Sequence, residues 1–88
     1  MSSTVPRDET GPPDPLLQAF GDRLRDMREA RGWTRDNLFE SSGISHRALS
    51  YLEWGRRAPT LPTIVALARA LGVAPGALVD ELVPDEPV

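Results

Sequence analysis

The chain has 88 residues, which is enough for one domain with a small hydrophobic core. It contains no cysteine and a single histidine, so the sequence offers neither a disulfide framework nor a thiolate metal site. No stretch approaches the roughly 20 apolar residues of a membrane-spanning helix, and no apolar run near the first residue resembles a secretory signal. We therefore expect a cytoplasmic domain that requires no cofactor.

The net charge of −3 is distributed unevenly along the chain. Residues 20–72 hold nine arginines and six acidic residues, a net charge of +3, whereas residues 1–19 and 73–88 have net charges of −2 and −4. All ten basic residues are arginine, a side chain that suits bidentate contacts with phosphate and guanine. A biased genomic base composition would give the same preference. The middle of the chain is therefore where an anionic partner is expected to bind.

The N-terminal part of the chain is predicted to contain a tail and one long helix. Residues 1–14 are polar and rich in proline, which favours a disordered tail over an arm that enters a DNA minor groove. Residues 15–31 have helical periodicity, and Gly32 suits the left-handed residue that ends such a helix. Trp33 is expected in the core together with the apolar residues of this helix, which are Leu16, Leu17, Phe20, Leu24 and Met27.

The centre of the sequence predicts two short helices joined by a glycine turn. Thr34 is expected to cap the first of them, which runs to about Ser42. Gly43 suits the left-handed turn, and Ser45 is expected to cap the second helix, predicted over residues 45–54. This arrangement, in which the second helix is polar at its N-terminal end, is a helix-turn-helix that fits the major groove of DNA.

Two further predicted helices complete an all-α, five-helix domain over residues 15–83. Thr60 is expected to cap the fourth helix and Gly72 to end it. Pro75 begins a last, short helix, whose apolar residues either form a dimer interface or close the core of the monomer. Residues 84–88 are predicted to be a tail. The predicted buried face of the fourth helix is Leu61, Ile64, Leu67, Ala68 and Leu71, and the apolar residues of the last element are Leu78, Val79, Leu82 and Val83.

Three linked stretches of this sequence resemble a known family. They are LRDMREARGWT, NLFESSGIS and LSYLEWGRRAPTLPTIVALARALGV. Together they are similar to the Cro/repressor-type (XRE) helix-turn-helix regulators, whose lambda-repressor-like fold consists of five short helices. The resemblance covers roughly residues 20–82 and implies a transcriptional regulator that binds specific sequences in double-stranded DNA. It also implies a homodimer with half-sites about 34 Å apart, for which residues 75–83 are the candidate interface.

The resemblance assigns candidate base contacts to the start of the third helix. His46, Arg47 and Tyr51 occupy the base-reading positions of the family, and Ser45 and Ser50 flank them. Arg47 can donate two hydrogen bonds to a guanine, which distinguishes that base from the others. The helix pattern alone favours a polar face that is merely solvated, and it is the family resemblance that favours contact with DNA.

A second group of residues is expected to contact the phosphate backbone. Thr34 and Arg35 lie at the start of the second helix, where free backbone N–H groups attract anions. Arg56 and Arg57 follow the third helix, in a loop that touches the sugar-phosphate backbone in the family. Trp54 either lies against a deoxyribose or packs over the corner between the third and fourth helices. Such contacts supply affinity and register rather than a choice of sequence.

Two positions depart from the family pattern, and two others are expected to be structural. Arg35 stands where the family usually has a phosphate-binding glutamine, so the donor is kept and a charge is added. Phe39 stands where the family usually has alanine, so its ring requires either a changed helix crossing or an outward rotamer.

Arg28 and Glu53 occupy the positions of a largely buried ion pair, which would fix the third helix to the first.

The sequence argues against an enzyme, because it contains neither a nucleophile with an adjacent base nor a glycine-rich phosphate loop. The alternative to a DNA-binding regulator is a protein-interaction module on the same scaffold, such as the antitoxin or adaptor half of a pair. The acidic ends of the chain and the unusual Phe39 are compatible with that alternative.

Overall fold

The computed structural model describes residues 14–82, and all regular secondary structure in that range is helical. The predicted all-α, five-helix fold is confirmed, although the last helix ends before Leu82. The predicted tails at residues 1–13 and 84–88, together with Val83, lie outside the described residues. The helices are α1 (Pro15–Ala30), α2 (Arg35–Ser42), α3 (His46–Glu53), α4 (Leu61–Leu71) and α5 (Pro75–Val79).

Polar side chains cap the N-termini of the first four helices, which explains why the sequence predicts these boundaries well. Thr34 and Asn37 exchange backbone-to-side-chain hydrogen bonds of 3.1 and 2.9 Å, which together form a capping box at α2. Ser45 and Thr60 cap α3 and α4 as predicted. Asp14, which the sequence places in the tail, instead caps α1, because its carboxylate accepts a hydrogen bond from the first turn of this helix.

The hydrophobic core joins all five helices. Two leucines expected in it are exposed instead: Leu61 is 72% exposed, and Leu16 is also an exposed hydrophobic residue. Both stand in the first turn of their helices, where the chain has not yet reached the core. Trp33, also expected in the core, is only partly buried and packs against its edge. The buried hydrophobic residues are Phe20, Leu24, Leu38, Leu49, Leu52, Leu67, Ala68, Leu71 and Leu78.

A glycine in the middle of α1 allows this helix to lie directly against the C-terminal end of α3. A Cβ atom added to Gly21 would lie 2.5 Å from the carbonyl oxygens of both Leu52 and Glu53. Both oxygens belong to the backbone, so no side-chain rotation can relieve that overlap. Gly21 therefore sets the distance between α1 and α3, a role that the sequence pattern did not indicate.

The turn between α2 and α3 has the predicted geometry. Gly43 adopts a left-handed conformation with φ of 79°, which L-amino acids with side chains rarely adopt. Phe39 takes the outward orientation, with 44% of its surface exposed, rather than separating α2 from α3. The helix-turn-helix thus forms with a large aromatic residue where a small one is usual.

Candidate nucleic-acid interface

The N-terminal half of α3 presents polar side chains to solvent. Ser45, His46 and Arg47 are exposed, and Tyr51 is half-buried one turn further along. Ser50, predicted to flank the base-reading residues, is only 6% exposed. It lies three residues before the buried Glu53, so it belongs to the side of α3 that packs inside the domain. The prediction that Ser50 contributes to the exposed face is therefore wrong.

Arginine side chains from two elements meet at the ring of Tyr51. The guanidinium of Arg47, on α3, lies 5.8 Å from the centre of this ring, and that of Arg57, in the loop after α3, lies 5.2 Å from it. Trp54 contacts Tyr51 with its rings 6.0 Å apart and inclined at 66°, an edge-to-face arrangement. Cations near an aromatic face are held in place by the charge distribution of the ring. Arg47, Tyr51 and Arg57, which are three of the predicted contact residues, therefore lie together on one surface.

A buried ion pair fixes α3 beneath this surface. Arg28 donates from Nε to Glu53 Oε2 at 2.6 Å and from Nη2 to Glu53 Oε1 at 2.9 Å. Glu53 is fully buried, and a third bond joins Arg28 Nη1 to the carbonyl oxygen of Trp33 at 2.8 Å. The hydrogen bonds to Glu53 raise the pKa of the Arg28 guanidinium, an effect that burial only partly opposes. The two residues expected to pair are thus in bidentate contact, which sets the angle of α3 relative to α1.

Glu53 has a second arginine partner that the sequence did not indicate. Arg35 donates from Nε to Glu53 Oε1 at 3.1 Å, and its guanidinium lies 5.8 Å from the centre of the Trp54 ring. One carboxylate therefore accepts hydrogen bonds from two cations. Trp54 lies beside Arg35 of α2 and Tyr51 of α3 and remains 51% exposed, and its contact with a deoxyribose stays a prediction.

The other predicted phosphate-contacting residues are exposed to solvent. Thr34 is exposed, and its hydroxyl oxygen caps α2. Arg56 and Arg57 are both exposed in the loop that follows α3. The surface is not uniformly basic, because the exposed Asp36 lies 4.0 Å from the ring of His46.

Comparison with known proteins identifies the family. A family model described as a helix-turn-helix domain matches residues 19–82. The chain belongs to the lambda-repressor-like, XRE-type helix-turn-helix family of DNA-binding transcriptional regulators. An HTH-type transcriptional regulator of Mycobacterium tuberculosis is 36% identical over 70 residues, which are 80% of this chain and 27% of the relative. The chain thus spans about a quarter of the length of that relative.

Solved structures of helix-turn-helix proteins have the same architecture. The restriction-modification controller protein C.AhdI from Aeromonas hydrophila matches with a TM-score of 0.69 and 37% identity, over 70% of this chain and 94% of that protein. The P22 c2 repressor, whose structure contains a synthetic operator, matches with a TM-score of 0.64 and 28% identity, over 69% of this chain and 92% of the repressor.

Beside α3, the helix-turn-helix domain has an open polar cleft of about 510 Å³. Two of its lining residues, Gln18 and Arg25, come from α1 and were not predicted to belong to the site. Arg25 also pairs with Asp22 at 2.9 Å. No sequence motif marks either residue, because only the packing of α1 against α3 brings them here. The remaining lining residues are Tyr51, Glu53, Trp54 and Arg56.

The helix-turn-helix domain also has an apolar groove of about 350 Å³ where α1, α4 and α5 meet. Val79 and Leu82, two of the predicted interface residues, line it, whereas Leu78 is fully buried in the core. Leu78 therefore closes the core of the monomer, whereas a dimer interface formed by Val79 and Leu82 stays a prediction. The groove is completed by Leu16, Leu17, Phe20, Ala58, Pro59 and Ile64.

Within residues 14–82, no group of three or more potential metal ligands comes together. No helix in the same range is long and apolar enough to cross a membrane.

Proposed function

We propose that this domain regulates transcription by inserting α3 into the major groove of a specific DNA sequence. The observation that carries the proposal is the meeting of Arg47 and Arg57 at the ring of Tyr51, on the exposed side of α3. In a helix-turn-helix, the second helix lies in the major groove and its N-terminal residues reach the base edges. The similarity to the P22 c2 repressor, crystallised with a synthetic operator, supports this mode of binding.

The exposed side chains divide into those that read bases and those that hold the backbone. Arg47 is assigned to a guanine, and His46 and Ser45 can each donate or accept a hydrogen bond at a neighbouring base edge. Tyr51 offers a hydroxyl group and a ring edge suited to a thymine methyl group. Thr34, Arg35, Arg56 and Arg57 are assigned to phosphates, which fix the register of α3 on the duplex.

Arg47→Ala and Arg57→Ala are expected to have different effects on DNA binding. Loss of a bidentate guanine contact removes about 1–3 kcal/mol of discrimination, so Arg47→Ala should reduce the preference for the best sequence roughly tenfold to a hundredfold. Arg57→Ala should weaken all sequences alike, because phosphates carry no sequence information. Fluorescence anisotropy with the selected duplex and a scrambled duplex measures both. An equal loss of preference in the two variants would contradict the assignment.

The proposal as a whole is tested by selecting bound duplexes from a random pool. A DNA-binding regulator should enrich a defined sequence, and its log affinity should fall linearly with log salt concentration as counterions are released. If no duplex is enriched and a pull-down recovers a protein partner, the alternative of a protein-interaction module is correct.

We further propose that two copies associate through the apolar groove, with half-sites about 34 Å apart on the DNA. Val79 is exposed at the rim of the groove and does not belong to the core, so Val79→Glu should disrupt association with little effect on folding. Sedimentation velocity should show a dimer for the unmodified domain and a monomer for the variant. A monomeric unmodified domain at concentrations that saturate a two-half-site duplex would argue against this interface.

A further inference from the structure

Arg35 has an unusual environment for a residue expected to bind phosphate. Its Nε atom is hydrogen-bonded to the buried carboxylate of Glu53, and its guanidinium lies 5.8 Å from the centre of the Trp54 ring. Within residues 14–82, the hydrogen bond described for Arg35 uses Nε alone. Within this part of the chain, the two terminal nitrogens of the partly exposed Arg35 side chain therefore have no hydrogen-bond acceptor.

Trp54 is half exposed on the same surface, and the core does not explain its position. Its ring lies near both the ring of Tyr51 and the guanidinium of Arg35, so it connects the base-reading helix with the start of α2. An arginine side chain has many rotamers, and holding it in one of them before binding reduces the entropy lost when a ligand is bound. Glu53 and Trp54 together restrict Arg35 in this way.

We propose that Trp54 is a positioning residue for DNA binding, which holds the terminal nitrogens of Arg35 in place for a backbone phosphate. This inference depends on the proposed function, and it accounts for part of the affinity of the domain for DNA. Glu53 fixes Nε, Trp54 limits the rotation of the guanidinium plane, and the phosphate receives one N–H group from each terminal nitrogen as a fork. The sequence choice made by Arg47 does not depend on this arrangement.

A double-mutant cycle on DNA affinity tests the proposal. Arg35→Ala should weaken binding about tenfold to every duplex and lower the slope of log affinity against log salt by about 0.9, which corresponds to one phosphate contact. Trp54→Ala should weaken binding about threefold to tenfold when Arg35 is present and have no effect when Arg35 is already alanine. Trp54→Phe keeps an aromatic face and should bind within about twofold of the unmodified domain.

Two controls separate positioning from other effects. Arg69→Ala removes an exposed guanidinium from α4, to which no DNA contact is assigned, and measures the effect of losing one positive charge. Thermal melting of every variant shows whether the fold is retained. Additive losses from Arg35→Ala and Trp54→Ala, or an unchanged affinity in Trp54→Ala, would overturn the role of Trp54 while leaving the proposed function intact. Failure of the unmodified domain to bind any duplex would overturn both.

Discussion

Alanine in place of Gly21 should lower the free energy of unfolding by about 3 kcal/mol or more, and the melting temperature by more than roughly 10 °C. The added methyl group would lie 2.5 Å from two backbone oxygens at the end of α3. Because neither oxygen belongs to a flexible side chain, α1 and α3 would have to move apart. That movement would also disturb the Arg28–Glu53 pair, which joins the same two helices.

Gly76→Ala is the matched control for this prediction. Gly76 also lies in a helix, α5, but a Cβ atom added there would meet nothing within 4 Å. Alanine favours helix over glycine by roughly 0.5–1 kcal/mol, so this variant should be as stable as the unmodified domain or slightly more stable. Thermal melting followed by circular dichroism measures both substitutions. Equal melting temperatures for the two variants would show that the close approach at Gly21 has no energetic effect.

Glu53→Gln should lower the free energy of unfolding by about as much as Gly21→Ala. Loss of one partner from a buried ion pair typically costs about 3–5 kcal/mol, because the remaining charge is left without its counterion. Here the same carboxylate serves both Arg28 and Arg35, so glutamine would leave two guanidinium groups without their shared counterion. Because Glu53 is fully buried, water cannot take the place of the lost carboxylate as a partner for the guanidinium groups.

Glu40→Gln provides the comparison, since Glu40 is an exposed residue of α2 and the change of side chain is identical. Substitutions at such surface positions usually change stability by no more than about 0.5 kcal/mol. We expect the melting temperature of Glu53→Gln to lie well below that of Glu40→Gln. Overlapping melting curves would show that the ion pair contributes nothing to stability.

The sequence predicted the helix boundaries well because they depend on local chemistry. A threonine or serine cap bonds the free backbone N–H groups at the start of a helix, and a left-handed glycine such as Gly43 ends a helix. Both signals depend on only a few neighbouring residues. The resemblance to the family also led to the pairing of Arg28 with Glu53. Neither source of information required knowledge of how the helices pack.

The errors concern residues whose surroundings are set by packing between helices. Periodicity placed Leu61 on an apolar face, but it cannot tell where along a helix that face leaves the core. The polar pattern of α3 assigned Ser50 to its exposed side, although only 6% of this residue is exposed. Gly21 and the contact of Arg35 with Glu53 depend on the distance between helices, which no pattern along the chain encodes. A glycine kept in the middle of a helix, despite its cost, was the one available signal.

The positions of the two indole rings make this domain suited to optical measurement. Trp33 is partly buried against the core beside the guanidinium of Arg31, whereas Trp54 is half exposed on the surface assigned to DNA. Acrylamide can therefore quench the emission of Trp54 more readily than that of Trp33. A single fluorescence experiment thus contains two reporters, one for unfolding of the interior and one for occupancy of the outer surface.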